Sequence, residues 1–381
     1  MRHSPKNILI TGGAGFIGSC LSLRLVEAGY GIVILDNLSP QIHGPDTSGN
    51  SWLNALRART RFVRGDVTNR ADLLKVLPDV DTVVHLAAET GTGQSMYAIQ
   101  HYSDVNVGGT ALLLDLIANE RFPVRKLVVA SSRAVYGEGK YRCPEHGLFY
   151  PAARSDVDMA QGMFEHRCPV CAQPLQLVPT DESSVLQPSS VYGVTKLAQE
   201  QLVLAVGKAL GISAIALRYQ NVYGPGQSLS NPYTGILSIF STRMRHESPI
   251  NIFEDGLESR DFLYIDDAVE ATMRAIEYAE PLVDVFNVGS GVATDVLTIA
   301  RTLHRYLGGG SEINVSGQYR VGDIRHNVAD LAKVNQVLGF SPSVSIDEGL
   351  NRFVDWVKGE RTQSDRYEES LAELRAKGLF K

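Results

Sequence analysis

The sequence predicts an α/β fold: a doubly wound parallel sheet followed by a smaller C-terminal lobe, with an inserted Cys/His loop. Three observations carry that expectation. Short apolar runs alternate with helix-length segments through the first half of the chain, the pattern of successive strand–helix–strand units. The first apolar run ends in a cluster of glycines. After about Gly224 turns and prolines become denser, which places a second lobe there.

In order, Asn7–Thr11 (NILIT) reads as a buried strand. Phe16 to Ala28 reads as a helix with Gly29 placed to cap it. Gly31–Leu35, Arg61–Gly65, Thr82–Ala87 and Leu127–Ser131 read as further buried strands. Ser190 to Leu210 carries an apolar stripe and reads as a helix; Ala214–Tyr219 returns to strand. Residues 1–222 form the expected first domain and 223–358 the smaller lobe, with some segments returning to the first. The charged tail Gly359–Lys381 is expected as a peripheral helix. There are no internal repeats.

Composition bounds the function. The 381 residues are 44% hydrophobic and 20% charged, with net charge −6 and no Lys/Arg run, which argues against a nucleic-acid-binding face. No apolar stretch approaches the ~18–20 residues needed to span a bilayer, and Met1 to Asn7 is polar, without the core of a signal peptide. Four cysteines in so long a chain do not make a disulfide scaffold. The expectation is a cytoplasmic protein whose clustered cysteines bind metal or carry out redox chemistry.

Gly12, Gly15 and Gly18 follow the first strand at G-x-x-G-x-x-G spacing and lead into a helix. Glycines there let the backbone approach a pyrophosphate, which then sits at the positive end of that helix. Asp36 ends the next strand, where a carboxylate meets the adenosine ribose and repels a 2′-phosphate. This points to a Rossmann-type domain that favours NAD over NADP. Tyr192 and Lys196 stand four apart near a helix start and share one face. A neighbouring ammonium favours phenolate, which makes Tyr192 a general base for an alcohol. Ser132, at a strand end, is placed to bond the oxygen being oxidised.

These residues carry a resemblance. GGAGFIG, Asp66 in RGDVTN, HLAA at His85–Ala88, Asn106 in DVNVGGT, SSRAVYG and YGVTK are similar to the extended short-chain dehydrogenase/reductase family. More narrowly they resemble NAD-dependent nucleotide-sugar epimerases and dehydratases, from about Asn7 to Val357. The resemblance implies a nucleotide-diphosphate sugar as substrate and a homodimer. It adds Phe16, Ile17, Asn37, Leu86, Ala87 and Ala88 to the cofactor site, puts Asp66 and Val67 on the adenine, and has Asn106 support the Tyr192/Lys196 network. On the substrate side it implies Ser132 on the sugar, Asn221 on the diphosphate, Phe253 stacked on the base, Arg260 and Arg320 (with Asp323 beside it) on the diphosphate, and Asn327 at the sugar pocket. Two guanidiniums suit a diphosphate because each offers parallel N–H donors.

In the family's 4,6-dehydratases an Asp-Glu pair follows the hydroxyl residue. Here Arg133 and Ala134 stand there. Ala134 moves no proton and Arg is not deprotonated, which leaves 4-epimerisation through a transient 4-keto sugar. SSRAVYGEGKYRC with the CPVC pair is similar to a subgroup of dTDP-L-rhamnose 4-epimerases; a UDP-hexose is the other substrate considered. The alternatives are a net oxidoreductase or dehydratase of the family, or a non-catalytic NAD-binding regulator.

Tyr136 to Tyr192 spans 56 residues, where relatives by the same resemblance need about 20. The surplus, Gly139–Val178, contains Cys143, His146, Cys168 and Cys171. Thiolates and imidazole at these spacings suit a structural, tetrahedral zinc. His166 is an alternative to His146, and reduced thiols or a redox CPVC pair are alternatives to the metal. Cys20 reads as a small buried apolar residue.

Overall fold

Apolar runs rich in Val, Ile and Leu bury both of their faces only in the middle of a helix-covered parallel sheet, and that is where these runs lie. The computed structural model describes residues 6–381 except 45, 46, 48, 49 and 234; the polar stretch 1–5 lies outside the described residues. Strands β1 (Asn7–Thr11), β2 (Gly31–Asp36), β3 (Arg61–Arg64), β4 (Thr82–His85) and β5 (Lys126–Ser132) lie close to their expected positions. β4 is shorter than expected. The chain leaves it after His85, so that Leu86–Ala88 runs across the sheet's end.

The insert adds three short strands, β6 (Tyr141–Cys143), β7 (Gly147–Phe149) and β8 (Gln176–Leu177), which pair with one another in the order β7-β6-β8. Beyond it come β9 (Ser213–Tyr219), β10 (Asn221–Tyr223), β11 (Ile250–Ile252), β12 (Ser259–Tyr264), β13 (Val283–Val288), β14 (Ala293–Asp295) and β15 (Ile313–Val315). The main sheet has seven strands in the order β13-β9-β5-β4-β1-β2-β3, all parallel. β13 comes from the part of the chain after Gly224 yet completes the main sheet beside β9. The smaller lobe is built from β10-β12-β14 and β11-β15.

Two apolar layers cover the sheet. Ile8, Ile10, Leu21, Ile34, Val84 and Ile215 belong to one; Leu9, Leu35, Val83, Leu113, Leu127 and Val129 belong to the other. Successive residues of one strand thus fall on opposite faces. Strand order reverses between β1 and β4, which opens a crevice at their carboxyl ends, where open α/β sheets bind ligands.

The tail carries the expected helix. Its helix, Tyr367–Ala376, buries Tyr367, Leu371 and Leu374, and Phe380 beyond it is buried too. The apolar residues recur every three to four positions, so one face docks while the charged face stays in water. Among the described residues no helix is long and apolar enough to cross a membrane.

Candidate active site

A cleft of about 1300 Å³ follows the crevice from the glycine loop into the smaller lobe. The loop is tight because it must be. Gly12 has φ +68°, and a Cβ there would lie 2.7 Å from the Ala87 nitrogen; one at Gly18 would lie 2.3 Å from the Gly12 oxygen. The helix Phe16–Glu27 begins at Gly15 with no side-chain cap, so its first N–H groups are left for a ligand. Gly12, Gly15, Phe16, Ile17 and Gly18 all line the cleft, as do Leu86, Ala87 and Ala88 opposite them.

At the end of β2, Asp36 accepts N–H bonds from Ala14 and Leu38, both at 2.9 Å. Asn37 donates to Asp66 at 2.9 Å. Burial pushes the Asp66 carboxyl up, but bonds from Thr68 and Asn37 outweigh it and hold the group below its usual value. Asp36, Asn37, Asp66 and Val67 line the cleft. A carboxylate at the end of β2 repels a 2′-phosphate and suits a dinucleotide with free ribose hydroxyls; His43 lies 3.6 Å from Asp36. Asn106 stands behind the cleft rather than on its wall. It is fully buried and absent from the cleft wall, in a π-helical turn at Ser103–Gly108. Its amide brackets the Glu89 backbone at 2.7 and 3.1 Å and donates to Thr195 at 3.0 Å. It supports the wall from behind, and Thr195 ties it to the carbonyl of Tyr192 at 2.9 Å.

Ser132 ends β5 and shares the cleft wall with Tyr192, near enough for its hydroxyl to act on the phenol. Tyr192 enters from the Val191–Leu210 helix, whose start Ser190 caps by accepting the Gly193 N–H at 3.1 Å. Burial raises the phenol's pKa, opposed by the Ser132 hydroxyl and the charge of Arg133. Lys196 is not among those influences, contrary to the expectation from spacing: its amine donates to Gln199 at 2.8 Å, and burial draws its pKa down to about 7. The cation beside Tyr192 is Arg133, whose Nε donates to Asn221 at 2.7 Å. Burial, together with the charge of Arg260, lowers Arg133 to about 9, so it stays charged at neutrality. Spacing rules read position 133 only as a missing acid. Its place against Tyr192 comes from the short 3₁₀ turn Arg133–Tyr136.

In the smaller lobe Arg260 turns its guanidinium to the carbonyls of Ser259, Ile324 and Arg325 at 2.8–2.9 Å. Arg320 pairs with Asp323 at 2.7 Å and lies 5.1 Å over the Phe253 ring. Phe380 meets that ring from the tail at 5.0 Å. Asn221, Phe253, Arg260, Arg320 and Asp323 line the cleft. Asn327 does not. It is fully buried, and a Cβ on Gly139 would lie 3.4 Å from its Nδ2, because the insert's first residues cover it. Glu258 went unnoticed in the sequence. It lines the cleft, one oxygen lacks a partner, and burial raises its pKa to about 7. Burial, not spacing, singles it out.

His146 Nδ1 and the sulfurs of Cys143, Cys168 and Cys171 converge, all within 4.8 Å of one another. His166 turns away to Glu138 at 3.0 Å. Cys20 is half-buried, and burial pushes its thiol up to about 11, as suits an inert residue.

A glycine-loop dinucleotide cleft with Ser, Tyr and Lys at its switch point defines the short-chain dehydrogenase/reductase class. The NAD dependent epimerase/dehydratase family matches residues 8–166 and 167–289, and the chain belongs to it. It is an enzyme of the family's nucleotide-sugar epimerase class. A dTDP-L-rhamnose 4-epimerase of Burkholderia thailandensis is 38% identical over 359 residues, 93% of this chain and 96% of the relative. A UDP-glucuronic acid 4-epimerase from Bacillus cereus, solved with UDP-glucuronic acid and NAD, superposes with TM-score 0.74 at 31% identity, covering 93% and 99% of the two chains. A UDP-glucose 4-epimerase of Thermotoga maritima, solved with UDP-glucose, gives 0.73 at 29% with the same coverage.

Proposed function

We propose that the protein is a nucleotide-sugar 4-epimerase that holds NAD in the glycine-loop half of the cleft, with dTDP-L-rhamnose the first substrate to test and UDP-hexoses the second. The observation that carries this reading is Tyr192 beside Ser132 on the cleft wall, where the next two residues, Arg133 and Ala134, supply no acid–base pair for dehydration. The 38% relative supports the rhamnose reading; the neighbours solved with UDP-sugars support the other.

NAD held against Gly12–Gly18, Asp36 and Leu86–Ala88 would supply the reversible hydride acceptor for C-4. Tyr192 removes the 4-hydroxyl proton and later restores it, while Ser132 holds the oxygen through the 4-keto stage. Arg133 offers positive charge beside the phenolate, and its remaining N–H groups face a polar sugar. Arg260 and Arg320 meet the diphosphate and Phe253 the base, so the nucleotide stays anchored while the keto sugar presents its other face. The tethered thiols of the insert suit a reducing, cytoplasmic setting.

The test is incubation with dTDP-L-rhamnose, UDP-glucose and UDP-glucuronate in heavy water, followed by sugar NMR. The expected outcome is the C-4 epimer of one of them without solvent deuterium, because a hydride that is returned never meets water. Label at the sugar carbon, or net accumulation of NADH, overturns the reading.

A further inference from the structure

We propose that Cys143, His146, Cys168 and Cys171 hold one zinc ion, and that the knuckle so formed positions the loop that carries Arg320 and Asp323. Three of the donor–donor distances match the edges of a tetrahedral site, and all of them are within 4.8 Å. Cys143 Sγ lies 3.5 Å from His146 Nδ1 and 3.7 Å from Cys171 Sγ, and Cys168 Sγ lies 3.6 Å from the same nitrogen. Zinc bonds of about 2.3 Å to sulfur and about 2.0–2.1 Å to nitrogen give tetrahedral edges of roughly 3.8 Å between sulfurs and roughly 3.6 Å between sulfur and nitrogen. A disulfide needs its sulfurs about 2.05 Å apart, and the measured pair is 3.7 Å apart. Four protein donors leave no open position, so the ion is structural.

The insert needs such an ion. Its strands have three, three and two residues, too short to hold alone. Of the four buried residues in its core cluster, Tyr141, Cys143, Cys168 and Leu175, two are ligands. Metal binding and local folding are then one event.

The coupling runs through buried charges. Glu165 and His166 lie just ahead of Cys168, and Glu138 just ahead of β6. Glu138 accepts the Arg325 N–H at 2.7 Å and meets His166 at 3.0 Å and Arg154 at 3.4 Å. Arg325, fully buried, is gripped by Glu165 at 2.6 Å, Glu254 at 2.8 Å and Asp255 at 2.7 Å. Arg154, also in the insert, bonds Glu254 at 2.8 Å and the Asp323 carbonyl at 3.0 Å. A knuckle that loosens withdraws Glu165, His166 and Arg154 from this network, and a buried charge stripped of its partner forces rearrangement. The segment that rearranges is 320–327, which presents Arg320 to the cleft.

The coupling half rests on the cleft taking a nucleoside diphosphate, as the epimerase reading requires; the metal half does not. The experiment measures zinc by elemental analysis of full-length protein purified without chelator, and UDP, dTDP and NAD affinity by calorimetry. We expect about one zinc per chain, lost in Cys168→Ser. That variant binds the nucleoside diphosphate about tenfold more weakly, with NAD affinity unchanged within about twofold. Arg154→Met is to keep its zinc and show the same selective loss. Cobalt put in place of zinc is to give the visible bands of a tetrahedral thiolate site. Metal-free wild-type protein whose insert resists proteolysis overturns the site. Zinc loss with unchanged diphosphate affinity overturns the coupling. Wild-type protein that binds neither UDP nor dTDP sinks the epimerase reading and the coupling with it, while the zinc content still judges the site.

Discussion

Ser95, whose hydroxyl accepts the Tyr192 backbone N–H at 3.0 Å, fixes Tyr192, while the Ser132 hydroxyl and the charge of Arg133 both favour its phenolate. That fixed placement, and a hydroxyl that can both take and return a proton, suit it to the proposed role of base. Tyr192→Phe is expected to lower turnover by ~10²–10⁴-fold while co-purified NAD remains. The cofactor's walls, Gly12 to Gly18, Asp36 and Leu86 to Ala88, are untouched by losing one oxygen. Turnover assays beside NAD release on denaturation check this; activity within a few-fold of wild type would remove Tyr192 from its role. Arg133 shows what spacing rules omit at this scale. They register an absent acid, whereas the folded chain puts a cation against the phenol.

At the level of elements, His85 joins β4 to its neighbours. Its Nδ1 meets Thr11 of β1 at 2.7 Å and its Nε2 meets Thr110 at 2.8 Å, in the helix Gly109–Asn119. Burial, then the nearby charge of Lys196, drop its pKa from 6.5 to about 3. The unfolded chain therefore binds a proton between those values that the folded chain refuses, so this group's contribution to stability is lost as pH falls from about 6.5 toward about 3. In His85→Gln, urea unfolding across that window is expected to show a shallower fall, by up to ~1.4 kcal/mol per pH unit; an unchanged slope would contradict it. β1, β2, β4, β5 and β9 were legible because strands buried on both faces must be apolar throughout. β13 was not: VDVFNV mixes polar residues, and pairing with β9, a non-local fact, puts it in the sheet. The strands of the insert, two or three residues long, are too short to leave a periodic trace. Spacing put the glycine loop, Ser132 and Tyr192 on one cleft, but not the Lys196 amine, which turns to Gln199. Glu258 was not legible, and Asn327 was misplaced, because burial behind an insert is a property of the folded chain.

Across the whole molecule, the tail works as a strap between the two halves of the cleft. Glu373 accepts from Tyr97 of the first domain at 2.7 Å and from Tyr233 of the lobe at 2.8 Å. Arg243 pairs with Asp365 at 3.3 Å and lies 4.5 Å over Tyr367. The last residues add to the lobe as a strand would: Tyr319 and Lys381 exchange backbone bonds at 2.9 and 3.0 Å, and Phe380 packs on Phe253. Tyr367, Gln363 and Arg361 thereby become wall of the cleft on the side of Phe253 and Arg320, away from the glycine loop. A chain ended after Glu360 loses that wall, the cover on Phe253 and the tie to Tyr97, but none of the residues that line the dinucleotide half. Its KM for the nucleotide sugar is expected to rise about tenfold or more with kcat changed far less, the signature of lost uniform binding, and NAD is to remain bound. Phe380→Ala, which keeps Glu373 and its two tyrosines, is expected to raise KM by a smaller factor. Steady-state kinetics on both variants decide it: a truncated enzyme with wild-type KM would show that the strap covers the site without helping to form it.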